Sequence, residues 1–307
     1  MGNSKTDNKS GSIYNPSNLW KKLGNDLFDD VQSIDIDNFR SPRALNNRLA
    51  SWDPYDQNSY RYYKNILFNL VNSMDDRFFE YYKKIGTTDL GNPIEVIVKG
   101  QSFNLDYVFS VQEMIFCEEI LNNIHSVVEI GAGFGRTCHA ILSNYANVST
   151  YTIIDISEVL ELSKRYLQQI LNKNVYQKIN FLENWNADKA EEGGLYINID
   201  SMQEMEQEVA INYLSLIDRK GSYFYSRNAV CKYAPSVIGM MDFDKAEFNN
   251  AISVGLCHDV VNIFNMDDLI KARNKYMRKY NPSNSWELIK EDVSFPWQYY
   301  HHVLYAK

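Results

Sequence analysis

Residues 126–135 read SVVEIGAGFG and residues 148–155 read VSTYTIID, with RTCHAILSNYA between them. The first stretch is an apolar run that ends in glycines, the middle one has helical spacing, and the last is β-branched, so the order is strand, glycine loop, helix, strand. Two consecutive strands joined by a helix are parallel, which predicts an α/β protein built on a parallel sheet. The same alternation continues outward. SEVLELSKRYLQQIL has apolar residues at 159, 160, 162, 166, 167, 170 and 171, KINFLEN reads as a third strand and GLYINID as a fourth. A helix is expected from about Met202 to Ile217, stopping at Arg219, Lys220 and Gly221, before a fifth strand in SYFYSRN. SWELIKEDVSF, PW and QYYHHVLYAK read as two strands around a proline turn, an antiparallel pair that closes the sheet.

Ahead of this region the signals are helical. Leu19, Trp20, Leu23, Leu27, Phe28 and Val31 recur at three and four behind a Ser17 cap, and Ile66, Leu67, Leu70, Val71, Met74, Phe78 and Tyr82 form a stripe expected to be one helix of about four turns. The segment PIEVIVKG reads as a brief strand and a helix is expected from about Leu105 to Asn122. The expected organisation is a mostly helical cap over 1–104, a sheet domain over 105–307, and an insertion at about 231–284.

Composition narrows the function. The chain has 307 residues, 45% of them hydrophobic and 14% aromatic with 22 tyrosines, more rings than packing alone usually demands, so some are expected to line a site. The net charge of −8 is the wrong sign for a partner with a phosphate backbone, so no nucleic-acid partner is expected. Cys117, Cys138, Cys231 and Cys257 are widely spaced without a C-x-x-C pair, as for reduced thiols in a cytosol. No run approaches the roughly 20 apolar residues of a membrane span, and MGNSKTDNKSGS lacks the apolar centre of a signal peptide. A cytoplasmic protein is expected.

The glycine loop carries the chemistry. Gly131, Gly133 and Gly135 follow the first strand of the sheet, where a doubly wound fold places its ligand, and glycine lets backbone approach that ligand closely. A dinucleotide fingerprint would need G-x-G-x-x-G, but position 136 is Arg. Glu129 is misplaced against a pyrophosphate and suits the ammonium group of an amino-acid ligand.

This string resembles motif I of the class I S-adenosylmethionine (SAM) dependent methyltransferases, hydrophobic-hydrophobic-acid-hydrophobic-G-x-G-x-G. The resemblance implies a Rossmann-like fold with a seven-stranded, mostly parallel sheet in the order 3-2-1-4-5-7-6, its C-terminal hairpin antiparallel. It implies SAM as cofactor, with S-adenosylhomocysteine as product, held by Glu129, Gly131, Ala132, Gly133 and Gly135. Asp155, with Ile156 beside it, matches the family's acidic residue for the ribose hydroxyls, a task for which two acceptor oxygens are suited. Asn184, with Glu183 as its neighbour and rival, falls where the family commonly contacts adenine. More narrowly, N-x-R-L-A-x-W, IIDISEVL and IDSMQEM are similar to the bacterial sugar O-methyltransferases linked to surface polysaccharides. That likeness implies O-methylation of a sugar or nucleotide-sugar, with a homodimer admitted as the assembly.

Methyl transfer needs an aligned and deprotonated acceptor. Asp200 and Ser201 stand at the rim of the fourth strand, with Glu204 a turn further on; Asp200 is read as base, cofactor ligand or substrate ligand and Ser201 as a substrate contact. The competing reading makes Asp200 a helix cap. His258, in the insertion, is the histidine with a catalytic reading, against ordinary packing. Trp52, Tyr55, Arg61 and Tyr62 are candidates for sugar stacking and hydroxyl recognition, against a packing seam. Lys271, Arg273, Lys275, Arg278 and Lys279 form a basic helix with a solvated face or an acidic substrate as its alternatives. A metal-dependent variant would use Asp200 and Asn228, but position 227 is Arg and no metal is expected. An N-methyltransferase on an amino sugar or peptide, and a SAM-binding regulatory or scaffold protein without turnover, are the alternative functions.

Overall fold

The computed structural model describes residues 59–240 and 244–307. The chain divides into units spanning Met1–Asn65 and Ile66–Lys307, and the sheet belongs to the second. The first expected helix, with Trp52 and Tyr55, lies outside the described residues.

The stripe from Ile66 to Tyr82 is two helices and not the single one its spacing suggests, α1 (Ser59–Asn72) and α2 (Asp76–Ile85). Asp75 is extended, and its carboxylate accepts the Phe78 N–H at 3.0 Å, so it caps a new helix and resets the direction of the chain. A hairpin of β1 (Glu95–Val98) and β2 (Gln101–Asn104) leads into α3 (Leu105–Phe116), where Asn104 caps through the Tyr107 N–H. The helix expected to reach Asn122 ends at Phe116, because the Cys117 N–H is shared between the carbonyls of Glu113 and Met114 and the last turn tightens.

The sheet contains β3 (Ser126–Ile130), β4 (Thr150–Asp155), β5 (Ile179–Glu183), β6 (Leu195–Ile199), β7 (Tyr223–Ala229), β8 (Glu287–Val293) and β9 (Tyr300–Ala306). Their order is β5-β4-β3-β6-β7-β9-β8, parallel from β5 to β7 and antiparallel on both sides of β9. This is a Rossmann-like α/β fold with the strand order and C-terminal hairpin that define the class I methyltransferase architecture. Its inner strands are buried on both faces, so β3 and β6 do not alternate apolar with polar residues, and even the polar Glu129 and Asn198 within them are buried. The helices α4 (Arg136–Asn144), α5 (Ser157–Ile170) and α6 (Gln207–Lys220) connect them, and α7 (Lys245–Ser253) and α8 (Met266–Lys279) fall in the insertion before the last hairpin.

One expected helix starts later than its pattern suggests. After a 3-10 turn at Met202–Glu204, Met205 is extended and α6 begins only at Gln207. The insertion imposes this break: Gly255 donates its N–H to the Met205 carbonyl at 2.7 Å, and Lys232 Nζ donates to the Gln203 carbonyl at 3.0 Å.

Much of the tyrosine excess is core. Tyr151, Tyr196, Tyr225, Tyr276 and Tyr305 are fully buried, and each hydroxyl has a partner, such as His302 Nδ1 for Tyr225 at 2.7 Å. All four cysteines are buried free thiols. Among the described residues no helix is long and apolar enough to cross a membrane.

Candidate active site

The loop after β3 is left-handed at three glycines, Gly131 (φ +74°), Gly133 (φ +58°) and Gly135 (φ +93°). A methyl group at Gly131 would overlap the Ser201 hydroxyl, whereas one at Gly133 would meet nothing within 4 Å. Gly131 is therefore required by packing, and Gly133 leaves open space for a ligand against bare backbone. Asp155, at the end of β4, accepts the Gly133 N–H at 3.1 Å and the Ile156 N–H at 2.8 Å. Gly131, Gly133, Asp155 and Ser201, together with Ala132, Ile156, Arg136, Asp200, Glu204 and Met205, line a cleft of about 510 Å³ at the carboxyl ends of β3, β4 and β6, whereas Gly135 packs against Leu167. The strand order reverses between β3 and β6, the switch point at which such sheets bind ligands.

Glu129 forms the floor. It is 2% exposed, accepts the Tyr151 hydroxyl at 2.7 Å, and burial pushes its carboxyl up to about 7 against the opposing pull of that hydrogen bond and of Arg136. Between the ordinary carboxylate value of 4.5 and about 7 the folded protein holds a proton that the unfolded chain has released. Stability must fall as pH rises through that window, by at most about 1.4 kcal/mol per pH unit. Glu129→Gln keeps an acceptor for Tyr151 but cannot ionise, so urea unfolding of this variant should show a flatter profile there; parallel profiles would refute the assignment.

Beside the cleft runs a buried chain of ions that the sequence analysis missed. Arg136 pairs with both Glu113 oxygens at 2.7 and 3.0 Å, Arg227 Nη1 lies 3.9 Å from Glu113, and the same nitrogen donates to Asp200 Oδ2 at 2.9 Å. Arg227 is 1% exposed, donates to Ser294 through Nε and lies between the rings of Phe109 and Tyr300. Two signals were legible. Arg136 is a cation at the first turn of α4, the end that disfavours one, and Arg227 is a cation within an inner strand of the sheet.

Asp200 does not cap a helix. Its backbone is left-handed (φ +57°), held by its N–H on the Arg227 carbonyl, and its carboxylate is committed to Arg227 through Oδ2 only. Asp200 Oδ1 is buried with no partner, and desolvation raises the pKa of this carboxyl despite both arginines. Ser201 accepts from Asn198 Nδ2 at 2.9 Å and donates to the Ile130 carbonyl at 3.3 Å, so it braces the loop.

Glu204 lines this cleft and a second cavity of about 800 Å³. The other expected residues are more scattered. His258 donates from Nε2 to the Gly255 carbonyl at 2.8 Å and lines neither cavity. Glu183 accepts the Ser157 hydroxyl at 3.1 Å, and Asn184 lines a separate cavity with Asp188 and Tyr213. Arg61 and Tyr62 lie on α1. Asn228 is fully buried and donates to Asn198 and Ser226. Among the described residues no group of three or more His, Cys, Asp or Glu is arranged to hold a metal ion. In the basic helix, Arg273 donates to the Gln298 carbonyl, Lys275 pairs with Asp259 and Lys279 donates to the Leu256 carbonyl, so these three tie the insertion down.

No family model matches the chain, and no curated protein matches it. Solved structures are similar to it at low identity. The methyltransferase domain of bacterial CtHen1 is 10% identical, with 66% of this chain and 98% of that one covered and a TM-score of 0.47. The mitomycin 7-O-methyltransferase MmcR is 10% identical over 87% of this chain and 72% of its own, with a TM-score of 0.42. A geranyl diphosphate methyltransferase in complex with SAM is 11% identical over 66% and 87%, with a TM-score of 0.43.

Proposed function

We propose that the protein is a SAM-dependent methyltransferase acting on a hydroxyl of a small acceptor. The observation that carries this reading is the open, left-handed Gly133 beside Asp155 at the switch point of the sheet. The cleft fits the cofactor's chemistry: Asp155 offers acceptor oxygens for two ribose hydroxyls, and the unpaired Asp200 Oδ1 and the buried Glu129 suit an ammonium group. When bound, SAM supplies a methyl group on an electrophilic sulfonium.

The residues then divide the work. Arg227 holds Asp200 in position and occupies one of its oxygens, which favours Asp200 as a cofactor ligand over a proton acceptor. Glu204 borders both cavities and is the base that takes the acceptor's proton. Ile156 and Met205 give the cleft apolar walls that limit water beside the reacting atoms. On sequence alone the similarity of IIDISEVL and IDSMQEM to sugar O-methyltransferases favours a sugar or nucleotide-sugar as acceptor, whereas the lining of the adjoining cavity favours another class.

Calorimetric titration with SAM, S-adenosylhomocysteine and NAD tests the reading. Micromolar binding of the first two, near −8 kcal/mol, with no heat from NAD is the expected result. A folded sample that binds neither SAM nor its product would overturn it. Once an acceptor is in hand, Glu204→Gln should lower turnover at least tenfold with SAM affinity unchanged, and equal turnover would remove Glu204 as base.

A further inference from the structure

The second cavity adjoins the cofactor cleft across Glu204, lies under α7, and is mostly apolar. Ile238, Met240, Phe248 and Ile252 line it together with Tyr233 and Tyr299, whose rings meet edge to face at 5.5 Å. Besides Glu204, its polar side chains are engaged with the wall: Asp244 accepts the Ala246 N–H at 2.7 Å. Gln203 accepts the Ala229 N–H at 2.6 Å and donates to the Tyr300 hydroxyl at 3.0 Å, and its carbonyl takes Lys232 Nζ. A sugar placed here would leave hydroxyls desolvated against Ile238, Phe248 and Ile252 without partners, which costs free energy for each one. A flat apolar ring would instead lose water-exposed surface on both faces.

The polar groups at the junction point the same way. Glu204 and Lys232 both line the cavity, and Glu204 also lines the cofactor cleft, so an acceptor oxygen that faces the cleft passes Glu204, with the Lys232 ammonium on the same cavity wall. A carboxylate is a weak base, and the hydroxyl it can serve best is an acidic one. Phenols ionise near pKa 10, whereas sugar hydroxyls are much weaker acids. The ammonium of Lys232 would stabilise the phenolate charge as it develops.

We infer that this cavity is the acceptor site and that the acceptor is a phenol on an aromatic body of about two rings, its hydroxyl between Glu204 and Lys232. The inference rests on the methyltransferase reading and replaces the sugar expected from sequence. In the transfer the phenolic oxygen gives its proton to the Glu204 carboxylate and forms the new bond to the methyl carbon; the methyl–sulfur bond breaks with its electron pair left on sulfur, yielding S-adenosylhomocysteine and the aryl methyl ether.

The test is fluorescence titration of the full chain, with S-adenosylhomocysteine present, using 7-hydroxycoumarin as the phenol and UDP-glucose and methyl glucoside as competitors. Saturable coumarin binding that neither sugar displaces is expected. Ala251→Trp, which puts an indole into the cavity from an exposed position on α7, should weaken coumarin binding at least tenfold and leave S-adenosylhomocysteine affinity within twofold, which also establishes that the variant is folded. Displacement by UDP-glucose, no coumarin binding by a chain that binds S-adenosylhomocysteine, or undiminished binding in Ala251→Trp would overturn the acceptor assignment alone. Failure to bind S-adenosylhomocysteine at all would overturn the methyltransferase reading with it.

Discussion

Replacing Arg227 by methionine is expected to lower the unfolding free energy by about 2–3 kcal/mol, less than the roughly 3–5 kcal/mol of a fully buried pair because the Asp200 side chain is 41% exposed and Glu113 keeps Arg136. Arg227 is 1% exposed, and its loss leaves the Asp200 carboxylate without its cation and strips the second positive charge from beside the fully buried Glu113. Methionine fills much of the same volume, so the loss reports on charge more than on a cavity. The double variant Arg227→Met, Asp200→Asn should recover part of the loss, because an amide needs no counter-ion. Urea denaturation measures both. A single-variant loss under 1 kcal/mol would mean that water or local rearrangement neutralises Asp200 and that the ion chain holds nothing in place.

Asp155→Ala should weaken SAM and S-adenosylhomocysteine binding about 100-fold, or about 2.8 kcal/mol. Two effects add. The carboxylate is the acceptor for the ribose hydroxyls, and hydrogen bonds to a charged group are each worth about 1.5–3 kcal/mol. It also anchors the Gly133 and Ile156 N–H groups, so its removal loosens the loop over which the ligand lies. Asp155 is only partly buried and contacts loop backbone, so global stability should change little. Calorimetry on a folded variant decides it: a Kd within threefold of the parent would remove Asp155 from the site and with it the main support for the cofactor.

The parallel sheet was legible because short, mostly apolar and β-branched segments alternate with glycine loops and helical spacing, a pattern that admits few other arrangements. The glycine loop and Asp155 were legible for a related reason: left-handed backbone and close approach select glycine, and a short carboxylate at a strand end is conspicuous. Helix limits were harder. The break between α1 and α2 follows from one capping aspartate inside an unbroken stripe, and the delayed start of α6 depends on Gly255 and Lys232, some 30 to 50 residues away in sequence.

Site roles divide along the same line. Glu129, Gly131, Ala132, Gly133, Asp155, Ile156, Asp200, Ser201 and Glu204 converge on one cleft, as their positions at consecutive strand ends require. His258, Glu183 and Asn184 do not line that cleft: His258 donates to the Gly255 carbonyl, Glu183 accepts from Ser157 beside Asp155, and Asn184 lines a separate cavity. The sequence by itself determined the alternation of strands and helices, the glycine loop and its place at a strand end, since backbone conformation and burial act through residues close in the chain, while the strand order was implied by the resemblance alone. Only the tertiary structure decided that Arg136, Glu113, Arg227 and Asp200 form one neutral chain, and that Glu204 separates a polar cleft from an apolar cavity. Charge pairing and cavity shape depend on distances in space, and those are set by elements far apart in sequence.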